Sequence, residues 1–490
     1  VVMVAAGLIS CASPADNAAY QTSYVSTPCP QPNFPGVPQA DLGSNYSCGY
    51  LTVPENRLDP KSRTIRILVA RVKAVSDKPR PDPIVYLAGG PGGAGTLSAP
   101  GVVAGGMNAD RDVIFVNQRG TVHDDPHLSC PEMDDFTARA VDLVFEAPST
   151  ADLAAVDFAA YGSRENAADI ADLRVKLGID QWNVYGVSYG TDLAQQLLRT
   201  HPAGIRSVVL DSVVPPALNL IDRWWEAPAS GLAAIFQACA DQPACAAAYP
   251  DLPTVFINTV NKLSQTPLAV TTTGRADDSV HVTIDGFKMV PLLLDWSADP
   301  SKVADVPRMI FGLANGDGRL AGAGIAATAP PPPERGLLGA GLALGAYCQE
   351  MANWTTPEQA LSQARRAMPG LPDSVLRITP TGSWIFRECQ AWGLGRSDTA
   401  DRLPVSSAVP TLILSGTFDA STAPHWVREI TPGLSNAKAL RFPGVGHGVL
   451  PASACAQAIM TAFVDDPHRE VDQSCIAQTT PTFSLPEPQR

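Results

Sequence analysis

Apolar and polar residues begin to alternate at Tyr50–Val53 and again over Arg63–Val72, a period of two that predicts a β-hairpin. Two short apolar runs follow, Pro83–Leu87 (PIVYL) and Asp112–Asn117 (DVIFVN). Bounded by glycine and charge, they have the length and composition of buried parallel strands. The period then lengthens: Glu165–Leu177 repeats apolar residues at helical spacing. An earlier helical stretch is expected to be capped by Ser149 or Thr150, with Asp152 in its first turn. Trp182–Val187 reads as a strand, Tyr189–Thr200 as a helix and Ser207–Leu210 as a further strand. Strand and helix in regular succession predict an α/β chain with a mostly parallel, doubly wound sheet.

After Pro215 the pattern changes. Residues 217–404 hold Ala-rich helical stretches, clustered tryptophans and the run Pro330–Pro333, which must be extended and exposed. Strand alternation resumes at Thr411–Ser415, continues through Ala437–Phe442 and closes in a helix over Ala452–Val464. Residues 48–216 and 405–490 therefore predict two parts of one sheet domain. Residues 217–404 predict a large, mainly helical lid inserted before the strand at 411 and lying over the carboxyl ends of the strands. Residues 11–47, rich in Pro, Ser, Asn and Ala, predict a tether and an irregular approach to the fold.

Composition narrows the class. With 45% hydrophobic and 17% charged residues the chain has the make-up of a globular enzyme. A formal charge of -13 argues against a nucleic-acid partner, since nothing concentrates Lys or Arg into a phosphate-binding face. Val1–Ser10 is apolar but too short to span a bilayer, and reads as the remnant of a signal peptide. Leu8-Ile9-Ser10-Cys11 is similar to a bacterial lipobox, so Cys11 is expected to be lipidated and to supply the chain's membrane association. The alternative is an ordinary cleavage site and a soluble exported protein.

Ten cysteines in an exported chain imply disulfides rather than a metal site. Spacing makes Cys239–Cys245 and Cys455–Cys475 local closures, and Cys348–Cys389 a clip within the insertion. Cys29–Cys48 is a fourth pair, unless Cys130, the odd residue, displaces one member.

The chemistry-bearing residues lie at the expected joints. Gly186-Val187-Ser188-Tyr189-Gly190 matches G-x-S-x-G, with an apolar strand before it and a helix after it. In that setting Ser188 sits on a sharp strand-to-helix turn that projects its hydroxyl, and the glycines remove side chains that would clash. A serine hydroxyl needs a base to take its proton. Among seven histidines, His447 in Gly444-Val445-Gly446-His447-Gly448 stands in a flexible loop just past a strand. His468 falls in or after the last helix, and His201 ends the nucleophile helix, a structural position. Asp419, in the turn after Thr411–Ser415, is the acid that would orient the imidazole; Asp211 after the preceding strand is its rival. The order Ser…Asp…His is that of the α/β-hydrolase fold. The backbone N–H of Tyr189, and one from Gly90 in the loop Gly89–Gly93, are the expected oxyanion donors. The loop lacks the Gly-Lys-Ser/Thr of a phosphate cradle, and no helix pattern starts directly after it as a dinucleotide site requires. His123 and His127 with Asp124 and Asp125 lack a third well-spaced ligand and read as a solvated polar loop. Neither a metal nor an organic cofactor is expected.

These residues, together with LAGGPGGAG at 87–95, VNQRGT at 116–121, ADIADLRVKLGI at 168–179, NVYGVSYGTDLA at 183–194, SVVLDSVVPP at 207–216 and GTFDASTAP at 416–424, resemble the actinobacterial tripeptidyl aminopeptidases, relatives of the proline iminopeptidases. Tyr347-Cys348-Gln349-Glu350 and Cys389-Gln390-Ala391-Trp392 resemble that family's paired cysteine segments. The resemblance implies an exported or envelope-attached serine peptidase that cleaves peptides with a free amino terminus. It implies a lid carboxylate for the substrate α-ammonium, for which Glu350 is the candidate, with Trp392 as a wall of the pocket. Thr422, in the matching DxxT segment, would support Asp419 by a hydrogen bond. Asn117 stands where related enzymes often carry Asp, and Ala88 where the proline iminopeptidases carry His. An envelope carboxylesterase with the same triad is the alternative function, and a catalytically silent binding lipoprotein a more distant one.

Overall fold

The computed structural model describes residues 22–30, 45–129, 156–274, 279–328, 339–378, 382–478 and 480–486. The segments read from sequence as a signal remnant (1–10), as much of the tether and as a helix cap (149–152), together with Cys11, Cys130 and the run Pro330–Pro333, lie outside the described residues.

Nine strands form one sheet: β1 (Ser23–Thr27), β2 (Tyr46–Pro54), β3 (Thr64–Val72), β4 (Ile84–Leu87), β5 (Val113–Val116), β6 (Trp182–Val187), β7 (Ile205–Asp211), β10 (Thr411–Gly416) and β11 (Ala437–Phe442). The order across the sheet is β1-β2-β3-β5-β4-β6-β7-β10-β11. β1, β2, β3 and β5 pair antiparallel; from β5 to β11 every pairing is parallel. The apolar runs identified at 83–87, 112–117 and 182–187 are these central strands, and all four residues of β4 and of β5 are buried. The chain leaves β4 toward β5 on one side and returns as β6 on the other. The loops after β4 and β6 therefore flank a reversal of strand order, where open α/β sheets bind ligands.

Helices cover both faces. Helices α2 (Ser163–Lys176) and α3 (Tyr189–Thr200) pack against an apolar layer that includes Val85, Val184 and Leu210. On the other face α1 (Gly95–Ala104) and the closing helix Ala454–Asp465 cover Phe115, Tyr185 and Leu414.

Three elements of the sheet domain depart from the sequence reading. Residues 23–27, placed in an irregular approach, are an edge strand paired with β2. A helix, α1, does follow the glycine-rich loop. It contains Pro100 and several small residues, so its pattern gives little helical signal. Its first turn is held instead by tertiary bonds, with Thr96 N–H and Oγ1 both donating to Asn117 Oδ1. The expected helix over 452–464 breaks at Ser453, whose hydroxyl caps Ala456 N–H.

Between β7 and β10 the chain is mainly helical, as expected, with α4 (Glu226–Ala240), α5 (Leu252–Gln265), α6 (Gly286–Ala298), α7 (Val306–Ala314), α8 (Arg319–Thr328), α9 (Ala340–Ala346), α10 (Pro357–Ala367) and α11 (Ser383–Trp392). It also contains an unanticipated hairpin, β8 (Leu268–Thr273) with β9 (Ser279–Ile284). The closing core helix Ala454–Asp465 is α12. The insertion reaches the sheet's loops where only glycine fits. A Cβ on Gly231 of α4 would stand 2.8 Å from Asp419 O, and one on Gly92 would stand 2.8 Å from Gly339 O; one on Gly446 would strike Ser297 O. The insertion thus touches the loops carrying Gly92, Asp419 and His447.

All four expected disulfides are present: Cys29–Cys48, Cys239–Cys245, Cys348–Cys389 and Cys455–Cys475. Among the described residues, no helix is long and apolar enough to cross a membrane.

Candidate active site

Ser188 joins β6 to α3 at φ 57° and ψ -126°, a conformation L-residues avoid and a sharp turn imposes. Two neighbours make the turn possible. A side chain on Gly186 would strike Gly190 O, and one on Gly190 would strike Leu87 O. Gly186 thus lets the first turn of α3 close on β6, and Gly190 lets it pack against β4. Ser188 N–H donates to Asp211 O at 2.9 Å, which ties the turn to the next strand. The glycine-rich loop closes over the other side: a Cβ on Gly89 would lie 2.9 Å from Ser188 Cβ and 3.4 Å from its Oγ. Gly90 has φ 119°, a backbone conformation that favours glycine.

That loop is held by Gln118. Its Nε2 donates to Ala88 O and Gly89 O, each at 2.8 Å, and its Oε1 accepts Gly92 N–H at 2.9 Å. The neighbours in the same motif serve as anchors too. Asn117 braces α1 and donates to Val122 O. Arg119, fully buried, binds Asp169 through two nitrogens and lies 5.8 Å from the Tyr161 ring centre. Asn117 also donates to Asp124, so the 123–127 loop is not a simple solvated turn. Asp124 is buried and accepts Leu68 N–H at 2.8 Å. Among the described residues no group of three His, Cys, Asp or Glu side chains could hold a metal.

The acid and the base meet at the ends of β10 and β11. His447 Nδ1 lies 3.1 Å from both carboxylate oxygens of Asp419. Asp419, 1% exposed, also accepts Thr422 Oγ1–H at 2.6 Å, Thr422 N–H at 2.7 Å and Ser421 N–H at 2.9 Å. The two turns hold each other, with Phe418 N–H donating to Val445 O and Gly444 N–H to Thr417 Oγ1. Burial works to raise the Asp419 carboxyl, but His447 and the Thr422 bonds outweigh it and hold the group below its ordinary range. Burial likewise works to lower His447; the Asp419 charge and hydrogen bond outweigh it and raise the imidazole above its ordinary value.

The rival Asp211 has other partners. Its carboxylate accepts Val449 N–H, Leu450 N–H and Tyr185 O–H, each at 2.8 Å, and burial pushes it up. Ser212 Oγ accepts Gly448 N–H at 2.9 Å. The end of β7 therefore anchors both the Ser188 turn, through Asp211 O, and the segment after His447. The two buried aspartates are driven in opposite directions by their surroundings, and the lowered one carries the histidine.

Glu350 is not presented as expected. It sits in a π-helical turn, Tyr347–Met351, and its Oε1 accepts Ser163 N–H at 2.6 Å. Its Oε2 accepts Tyr189 O–H at 3.4 Å. Both oxygens are engaged, and burial raises the group. Trp392 closes α11 and packs on Phe158, with ring centres 4.3 Å apart. A carboxylate the sequence did not single out stands on the same helix. Glu388 is 2% exposed, and its Oε2 has no hydrogen-bond partner among the described residues. Burial raises it, against the nearby Arg387. Its neighbours in α11, Trp384 and Ile385, share one buried apolar cluster with Val214, Leu344 and Ala423; Ala343, next to Leu344, is the side chain that a Cβ on Gly92 would approach at 3.3 Å.

Comparison with known proteins bears on this arrangement. Residues 82–245 match the family model described as alpha/beta hydrolase fold, and residues 375–475 match the one described as TAP-like protein. The tripeptidyl aminopeptidase of Streptomyces coelicolor (strain ATCC BAA-471 / A3(2) / M145) is 30% identical over 209 residues, covering 38% of this chain and 38% of that enzyme. The tripeptidyl aminopeptidase of Streptomyces lividans matches to the same extent. Serine protease Hip1 of Mycobacterium tuberculosis (strain ATCC 25618 / H37Rv) is 27% identical over 226 residues, 40% of each chain. The matched part is thus 38–40% of these relatives' length.

Proposed function

We propose, on the premise that this chain is an α/β-hydrolase-fold protein related to the tripeptidyl aminopeptidases, that it is an exported serine peptidase releasing aminoacyl or short peptidyl groups from the amino-terminal end of peptides. The observation that carries this reading is the pairing of His447 with a buried, lowered Asp419 at the rim where Ser188 takes its strained turn. His447 Nε2 removes the Ser188 proton, and the alkoxide attacks the scissile carbonyl. The backbone N–H groups of Tyr189 and Gly90 receive the oxyanion. As the intermediate collapses, His447 returns the proton to the leaving amine, and water repeats the sequence on the acyl-enzyme. Asp419, fixed by Thr422, holds the imidazole tautomer and stabilises the imidazolium. Gln118 is a positioning residue for the oxyanion loop.

A free amino terminus needs a carboxylate. Glu350, with both oxygens engaged, is better suited to brace Tyr189 beside the nucleophile. Glu388 fits the ammonium better, since a buried carboxylate oxygen without a partner is costly and a cation would satisfy it. Glu388→Gln is expected to lower kcat/KM for free-amine peptides by about tenfold to a hundredfold, mostly through KM, and to leave small acyl esters unchanged. Glu350→Gln is expected to lower kcat for peptides and esters by one common factor. Exchange of these two patterns between the variants would return the ammonium role to Glu350.

Substrate class is tested with matched aminoacyl and tripeptidyl amides, their N-acetylated forms and short acyl esters. Cleavage of the free-amine amides, lost on acetylation, is the expected result. Ester cleavage without amide turnover would replace the peptidase reading by that of an envelope carboxylesterase. Four disulfides support export. Lipidation at Cys11 predicts partition of the full-length protein into detergent, lost in Cys11→Ser; equal partition of both forms would exclude the anchor.

A further inference from the structure

On the face of the sheet covered by α1 and α12, these two helices stand apart and leave a cavity of about 300 Å³. Tyr86 and Tyr185, with ring centres 5.4 Å apart, form its floor; Val102 of α1 and Met460 of α12 are among its walls. The polar groups in these walls already have partners. Tyr185 O–H donates to Asp211, Tyr86 is hydrogen-bonded with Ser98, and Gln457 Nε2 donates to Leu450 O. Arg111, buried, is paired with Asp82 and Asp465. Asp110 lies exposed at the edge. Among the described residues these tyrosine and arginine groups are engaged within the protein, so a charged occupant would lose its hydration with little replacement.

The size and composition of the gap also point to an occupant. Its volume is at the lower end for small-molecule sites and roughly twice that of a cavity that holds benzene. That is too small for a helix or strand of another protein. Gly101, on the exposed lip of its α1 wall, has room for a side chain: an added Cβ would meet nothing within 4 Å. A residue other than glycine there would strengthen a helix weakened by Pro100. The same cavity touches Val187, the residue before Ser188, and Leu450, three residues after His447.

The geometry points to a second ligand site: the cleft between α1 and α12 binds an uncharged, apolar small molecule, an alkyl chain or fused aromatic system of about ten to twenty heavy atoms. This site is independent of the peptidase reading and stands whether or not that reading holds.

The test uses the full chain and the uncharged fluorophore N-phenyl-1-naphthylamine, with octanol as alkyl competitor. Saturable one-site binding, displaced by octanol, is expected. Gly101→Phe, whose ring would occupy the cavity, is expected to weaken binding at least tenfold while ester or peptide turnover stays within twofold of the parent. Thr461→Trp fills the same space from α12 and is expected to act alike, so the test survives if one variant fails to fold. A second apolar groove, lined by Leu232 and Phe256 within the insertion, is the control, blocked by Ala233→Phe. Absence of saturable binding, or binding lost in Ala233→Phe but retained in both cleft variants, would overturn the assignment.

Discussion

Replacing Ser188 by alanine is expected to lower kcat/KM by about 10⁴–10⁶ while the melting temperature stays within a few degrees of the parent. The scale follows from chemistry that runs through a single oxygen. Without Oγ there is no acyl-enzyme, and residual turnover comes only from binding and the oxyanion donors. Alanine carries the same Cβ through the strained turn at φ 57°, and the bond from residue 188 N–H to Asp211 O is a backbone bond that the change leaves in place. The fold should therefore survive. Purified variant and parent would be compared by steady-state kinetics on the best substrate and by thermal unfolding. A loss of less than tenfold would remove Ser188 from the nucleophile position.

Asp419→Asn is expected to reduce kcat by about 10⁴ and to change its pH dependence. The base must be neutral to act, so activity in the parent should rise with pH through the pKa of His447, which the Asp419 carboxylate holds above 6.5. Removing that charge leaves burial as the dominant influence, and the residual activity should titrate at lower pH. An amide also donates where the carboxylate accepted, favouring the wrong imidazole tautomer. The stability linkage has its own sign. A raised His447 contributes stability that is complete below its unfolded value, about 6.5, and is lost as pH rises through the folded value. A lowered Asp419 contributes stability that is present above about pH 4 and is lost as pH falls through its folded value. An Asp419→Asn profile with an unchanged midpoint would show that Asp419 does not set the base. If Asp211→Asn alone moved that midpoint, the orienting role would pass to the rival.

The sheet and the residues at its rim were legible because each has a local signature. Apolar runs such as PIVYL and WNVYGV can hardly be anything but buried strands, and G-x-S-x-G constrains its own backbone through what packs against Gly186 and Gly190. In the sequence only chain order separates Asp419 from Asp211; the structure pairs His447 with Asp419 while Asp211 holds Val449 and Leu450. What escaped the sequence depends on residues far apart in the chain. Helix α1 carries Pro100 and is held by Asn117; β1 is a five-residue edge strand without an apolar period; Gln118 acts on carbonyls about 30 residues away. The resemblance points to Glu350 as a lid carboxylate, but its engagement by Ser163, 187 residues distant, has no trace in local spacing. Glu388 has no local signature, since its burial comes from packing that residue spacing does not show.

The central claim, that Ser188 is a nucleophile activated by His447 and Asp419, is tested most directly by reaction with a fluorophosphonate followed by peptide mapping. One adduct is expected, on the peptide containing Ser188, formed stoichiometrically by the parent and at sharply reduced rates by His447→Ala and Asp419→Asn. A folded parent that leaves Ser188 unmodified, or labelling that persists in Ser188→Ala at the parent's rate, would contradict it.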